Sequence, residues 1–241
     1  MRPATGEALL NQLVEKLRKA YGDALVSVVL YGSAVAGDHQ ARFSDYNVLC
    51  VLTEITPAQL AASEEVFRWW REQGSPSPLL LTEAEVAGST DSFAIEFHDL
   101  LRQHRILFGR DVISSLQIDD SFYRAQVEHE LRAKLLRLRQ KAAGMLSDPD
   151  LLRRLLADSI STFCVLFRHA LILHGEEGPA TKRDVIARAR ERFGIDTQPF
   201  ERLLDLREER VKARDVDATN LLASYMKGIS TVIEAVDRVD R

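Results

Sequence analysis

The chain has 241 residues, 46% of them apolar and 28% charged, enough to build real cores and to cover them in two modest domains. Its 32 basic and 36 acidic side chains leave a net charge of −4, which excludes a general affinity for nucleic-acid backbone because that needs a basic face. Cys50 and Cys164 lie far apart among apolar neighbours and read as buried free thiols of a cytoplasmic protein. Residues 1–7 lack the apolar core of a signal peptide, and no uninterrupted apolar run approaches the roughly 20 residues of a membrane span.

In chain order, Leu9, Leu10, Leu13, Val14 and Leu17 follow helical spacing, and Gly22-Asp23 closes that helix. Residues 24–31 form a β-branched and apolar run bounded by Gly32, the pattern of a buried strand. A second such run covers 46–52 after a polar loop. Pro57 opens a helix to about residue 72, with Leu60, Val66, Phe67 and Trp70 on its apolar side. Adjacent Trp69 and Trp70 cannot share a helix face, so one is expected in the core and the other outside it. Gly74-Ser75-Pro76-Ser77-Pro78 breaks the chain before a third apolar run at 79–81. Phe93, Ile95 and Phe97 alternate with Ala94, Glu96 and His98, which predicts a strand over 93–98. A short edge strand is expected at 106–108, closed by Gly109.

Beyond about Asp119 the period turns helical and stays so. Phe122, Val127, Leu131, Leu135 and Leu138 trace one face of a long helix. A second helix begins near Asp150 and runs to His174-Gly175, and Thr181-Lys182-Arg183-Asp184 resembles a capping box that opens a third. Further helices are expected over 197–213 and 217–238. The fold class is therefore α+β: a small mixed-sheet domain with helices over 1–115, then an all-α bundle over 119–241 that would bind a substrate or a partner. Within the bundle, the basic residues of 124–141 read as a solvated face. Asp158, Ser159, Ser161 and Thr162 mark either a cleft wall or the exposed side of a helix.

The chemistry concentrates in Leu30-Tyr31-Gly32-Ser33, an eleven-residue spacer, then Asp45-Tyr46-Asn47. A buried strand delivers the chain to Gly32, where the missing Cβ lets backbone approach a ligand. Ser33 adds a hydroxyl and a backbone N–H suited to phosphate oxygens. On the next strand, residues two apart face the same way, so Asp45 and Asn47 are expected to share one site while Tyr46 points to the other face. Oxygen donors beside a phosphate cradle suit a hard cation carrying a nucleoside triphosphate.

At these residues the sequence resembles the DNA polymerase beta-like nucleotidyltransferase superfamily, whose signature is Gly-Ser or Gly-Gly, a spacer of this length, then acidic–apolar–acidic on a strand. The resemblance implies transfer of a nucleoside monophosphate from an NTP to a small-molecule or protein acceptor, with Mg2+ as cofactor. It implies that Gly32 and Ser33 hold the nucleotide and that Asp45, Asn47 and Glu96 hold metal. Asp45 and Glu96 would be catalytic, Glu96 as the third acid and base for the acceptor hydroxyl. His98, on the same predicted face as Glu96, reads mainly as a structural residue. The departure is Asn47, which stands where the second carboxylate is expected and brings no charge. That substitution also fits a pseudoenzyme, a nucleotide-binding or protein-interaction module. The expected partners are thus an NTP and an unidentified acceptor, with neither a membrane nor nucleic acid, and pairing into a homodimer is left open.

Overall fold

A computed structural model of the chain describes residues 6–35 and 46–239. By packing, the chain divides into two compact units, Met1–Asp120 and Ser121–Arg241. The fold is α+β: a four-stranded mixed sheet with helices, followed by a helical region.

The first unit starts with helix α1, Gly6–Tyr21, which buries Leu10, Leu13, Val14 and Leu17. Strand β1, Leu25–Tyr31, pairs antiparallel with β2, Asn47–Leu52. Helix α2, Pro57–Glu72, is capped by Thr56, which forms a capping box with Gln59. Strand β3, Leu79–Thr82, pairs parallel with β2. Two short helices follow, α3 at Glu83–Gly88 and α4 at Ala94–Arg102, and β4, His104–Gly109, then pairs antiparallel with β1. The sheet order is β3-β2-β1-β4.

Both faces of the sheet are covered, which is why β1 and β2 read as nearly continuous apolar runs. On one face Val28, Leu30, Val48, Cys50 and Leu52 pack with Leu13 and Leu17 of α1 and with Val66 and Trp70 of α2. On the other, Val29, Leu49 and Val51 pack with Val86 of α3 and with Phe97 and Leu100 of α4. Trp70 is fully buried and Trp69 only partly. Leu60, expected on the apolar side of α2, is 50% exposed.

One element differs in kind from the expectation. Residues 93–98 are no strand: Ala94–Arg102 is the helix α4, and Phe93 lies outside it, exposed. The buried set Ala94, Ile95, Phe97 and Leu100 follows helical spacing, and of these Phe97 and Leu100 meet the sheet. The edge strand at 106–108 is longer than expected and starts at His104.

The second unit contains helices α5 (Tyr123–Ala143), α6 (Pro149–Leu173), α7 (Lys182–Phe193), α8 (Gln198–Arg207) and α9 (Ala218–Asp237). Helix α6 is central and packs against the other four. Its Phe163 and Phe167 meet Tyr225 and Phe200 at ring distances of 5.7 and 5.4 Å, tilted or edge-on as aromatic quadrupoles prefer. By length and hydropathy α6 could cross a membrane, but 56% of its most apolar stretch is buried against its neighbours, as befits a core helix. Thr181 caps α7 by accepting the Asp184 N–H. Phe122, expected in the α5 stripe, is 60% exposed; Tyr123 takes the core position instead and hydrogen-bonds the buried His169 at 2.6 Å.

Cys50 and Cys164 are free and buried, and burial pushes both thiols up to about 12. Neither is expected to react with an aromatic disulfide reagent at pH 8 in the native protein, and both should react once it is unfolded in guanidinium. Rapid native labelling at either position would contradict this burial.

Candidate active site

Strand β1 ends at Tyr31, whose Cα is paired with Asn47 on β2 and with His104 on β4. The chain then turns at Gly32, whose φ of 79° is left-handed backbone that glycine adopts without strain. Residues Gly32–Ala34 form one 3-10 turn, closed by the Val35 N–H donating to the Gly32 carbonyl at 3.0 Å. The Gly32 N–H donates to the carbonyl of Gln103, just beyond α4, at 3.3 Å. A Cβ on residue 32 would stand 3.3 Å from Asn47 Nδ2. A side chain here would push the Asn47 amide back by a few tenths of an ångström, in addition to the strain of the left-handed backbone.

The faces of β2 decide what Asn47 meets. Tyr46 packs toward α1 and α2, its ring 6.1 Å from that of Trp70. Asn47 follows on the opposite face with Leu49 and Val51, the face covered by α3 and α4. Tyr31 packs on that same face. Its phenol is pushed up to about 12, first by burial and then by the nearby carboxylates of Glu96 and Asp99. Glu96 and Asp99 are three apart on α4 and so share one side of that helix. Glu96 is exposed; Asp99 is half-buried, with Arg102 Nε 3.9 Å from its carboxylate.

The positions singled out by sequence therefore separate into three groups. Gly32 and the Ser33 backbone follow the end of β1, Asn47 pairs with Tyr31 there, and Glu96 is near enough to act on the Tyr31 phenol. Glu96 stands there on a helix, not on the strand assigned to it. Asp45 lies outside the described residues, as does the spacer from 36 to 44. His98 is paired elsewhere, with its Nε2 2.7 Å from Asp120. Asp99 and Tyr31 were not singled out; with α4 recognised as a helix, the i, i+3 spacing from Glu96 would have pointed to Asp99.

The donor set for a metal is thin. Asn47 offers one neutral oxygen, and the strands after β2 carry no carboxylate: β3 is Leu79-Leu80-Leu81-Thr82 and β4 is His104-Arg105-Ile106-Leu107-Phe108-Gly109. Among the described residues no group of three or more His, Cys, Asp or Glu is placed to hold a metal ion. Asn47 and Glu96 alone do not make a two-magnesium centre, and Asp45, the remaining expected ligand, lies outside the described residues.

No protein-family model matches the chain, and no curated protein matches its sequence. Among solved structures, the chain is similar to spectinomycin adenyltransferase AAD(9) from Enterococcus faecialis, determined with ATP and spectinomycin. The TM-score is 0.63 at 16% identity, over 97% of this chain and 100% of that one. At that identity the likeness is one of fold, and it extends through both units.

Proposed function

We propose that this chain is a nucleotidyltransferase-type protein that holds a nucleoside triphosphate at the Gly32 turn and has lost most of its transfer chemistry with the charge at position 47. The observation that carries this is the contact between Gly32 and Asn47: a left-handed glycine turn suited to phosphate lies against a neutral amide. Transfer of this kind depends on positioning and on neutralising charge around the phosphates, so each missing acid counts directly. The acid-free β3 and β4 point the same way. The shared fold with an ATP-bound adenyltransferase supports a nucleotide ligand and a small-molecule acceptor in the ancestral reaction.

A second reading, active transfer, is favoured by Glu96 and Asp99 lying near Tyr31 on the Asn47 face. There Glu96 would take the proton of the acceptor hydroxyl as its oxygen attacks the α-phosphorus; a new P–O bond forms and pyrophosphate leaves with the old one.

Calorimetric titration with ATP and GTP separates these readings when run beside radiolabel transfer. Wild type is expected to bind at least one nucleotide, Gly32→Val to weaken that binding at least about tenfold, and no label to be transferred to the chain or to a small acceptor. Wild type that binds neither nucleotide defeats both readings. Label transfer abolished by Asp45→Ala establishes the active one.

A further inference from the structure

The helical unit holds a pocket of about 210 Å3 between α5 and α6, and its two walls differ in charge. On the α5 side stand Lys134, Arg137 and Lys141, at i, i+3 and i+7, which places them in one stripe. On the α6 side stand Asp158, Ser159 and Thr162. Lys134 is engaged by Glu130 at 3.2 Å. Among the described residues Arg137, Lys141 and Asp158 make no ion pair, although opposite charges line the same pocket. All three are exposed, so their charges remain available to a ligand that enters the pocket.

We propose that this pocket binds a small phosphorylated polyol, a sugar phosphate. Arg137 and Lys141 meet the phosphate, which a guanidinium and an ammonium recognise through charge-assisted hydrogen bonds. Asp158 and Thr162 meet the hydroxyls, since a carboxylate accepts from sugar O–H groups while a threonine hydroxyl both donates and accepts. Leu138 and Phe163 supply the apolar floor against which a sugar C–H face can rest. Ser159 is committed within the protein, donating to the Leu156 carbonyl at 2.8 Å and lying 3.0 Å from the Tyr225 hydroxyl, and so stiffens the α6 wall. The cavity is smaller than the roughly 300–1,000 Å3 of drug-sized sites, which suits a monosaccharide phosphate and not a whole nucleotide. A nucleic-acid strand is disfavoured by Asp158 in the wall and by the net charge of −4.

The whole 241-residue chain titrated with ribose 5-phosphate, ribose, inorganic phosphate and AMP tests the proposal. Ribose 5-phosphate is expected to bind saturably and more tightly than the other three. Arg137→Gln combined with Lys141→Gln should weaken it at least tenfold, and Asp158→Asn should weaken ribose 5-phosphate but not inorganic phosphate. The changed side chains are exposed, and an unaltered melting temperature checks that the unit stays folded. Absence of saturable ribose 5-phosphate binding, or the same affinity in the double variant, overturns the site. Inorganic phosphate binding as tightly, with Asp158→Asn without effect, overturns the polyol. AMP binding more tightly than ribose 5-phosphate, and weakened by Arg137→Gln combined with Lys141→Gln, assigns the pocket to a nucleotide and overturns the sugar phosphate.

Discussion

Asn47→Asp is expected to raise the affinity of this chain for a nucleoside triphosphate in the presence of magnesium by roughly ten- to a hundredfold, and to leave the metal-free affinity unchanged or lower. The two side chains have nearly the same shape, so the contact with Gly32 survives the exchange and only the charge changes. A unit charge at ~4 Å from another is worth about 4 kcal/mol at an effective dielectric near 20. Part of that is lost to desolvation of the new carboxylate and to repulsion from Glu96 and Asp99, which lie near Tyr31 on the same face of the sheet. The repulsion also predicts a sign without metal: the variant should be slightly less stable than wild type, and magnesium with nucleotide should reverse the order. Calorimetry with and without magnesium, paired with thermal melts, reads both effects. Equal nucleotide affinities for the two proteins at saturating magnesium would remove position 47 from the proposed nucleotide site.

The neutrality of position 47 is legible in the sequence, because a motif supplies the expectation against which Asn47 stands out. The strands that carry it are legible too, since burial on both faces makes β1 and β2 continuous apolar runs. The helix α4 is not. Three alternating residues, Phe93, Ile95 and Phe97, fit a strand over so short a window, and only the continuation to Leu100 selects the helix. Helix α3 is not expected from the sequence; the structure shows it opened by a capping box in which Thr82 and Glu85 bond reciprocally. The third acid is expected at Glu96 on a strand over 93–98, and because that segment is α4 the carboxylate stands on a helix instead. What no local pattern reveals is that β3 lies beside β2 in parallel. Likewise the Tyr123–His169 bond joins residues 46 apart on two helices and has no sequence signal.

Gly109→Ala should destabilise the first unit by about 3 kcal/mol, whereas Gly74→Ala should cost only about 1 kcal/mol. Both glycines have left-handed backbone, with φ of 77° and 85°. Around Gly74 a Cβ would meet nothing within 4 Å, so only the conformational penalty applies. At Gly109 the added carbon would run into the Val26 carbonyl and stand 2.9 Å from the Val26 carbonyl carbon and 3.1 Å from Ser27 Cα, all of it backbone. Relief requires β4 to move off β1 where Gly109 pairs with Ser27, whose buried hydroxyl donates to the Phe108 carbonyl at 3.3 Å. The same ladder ends at His104 opposite Tyr31, one residue from the Gly32 turn, and the Gln103 carbonyl beside it accepts the Gly32 N–H. Strain introduced at one end of β4 is therefore expected to reach the proposed nucleotide turn at the other, across the irregularity between Val28 and Val29. Circular dichroism melts of the two variants should show Gly109→Ala falling several degrees further than Gly74→Ala, roughly 2–4 °C for each kcal/mol. Nucleotide affinity should fall in Gly109→Ala alone. Equal melting shifts would mean that β4 can yield at its closed end without cost, and unchanged affinity would uncouple that ladder from the Gly32 turn.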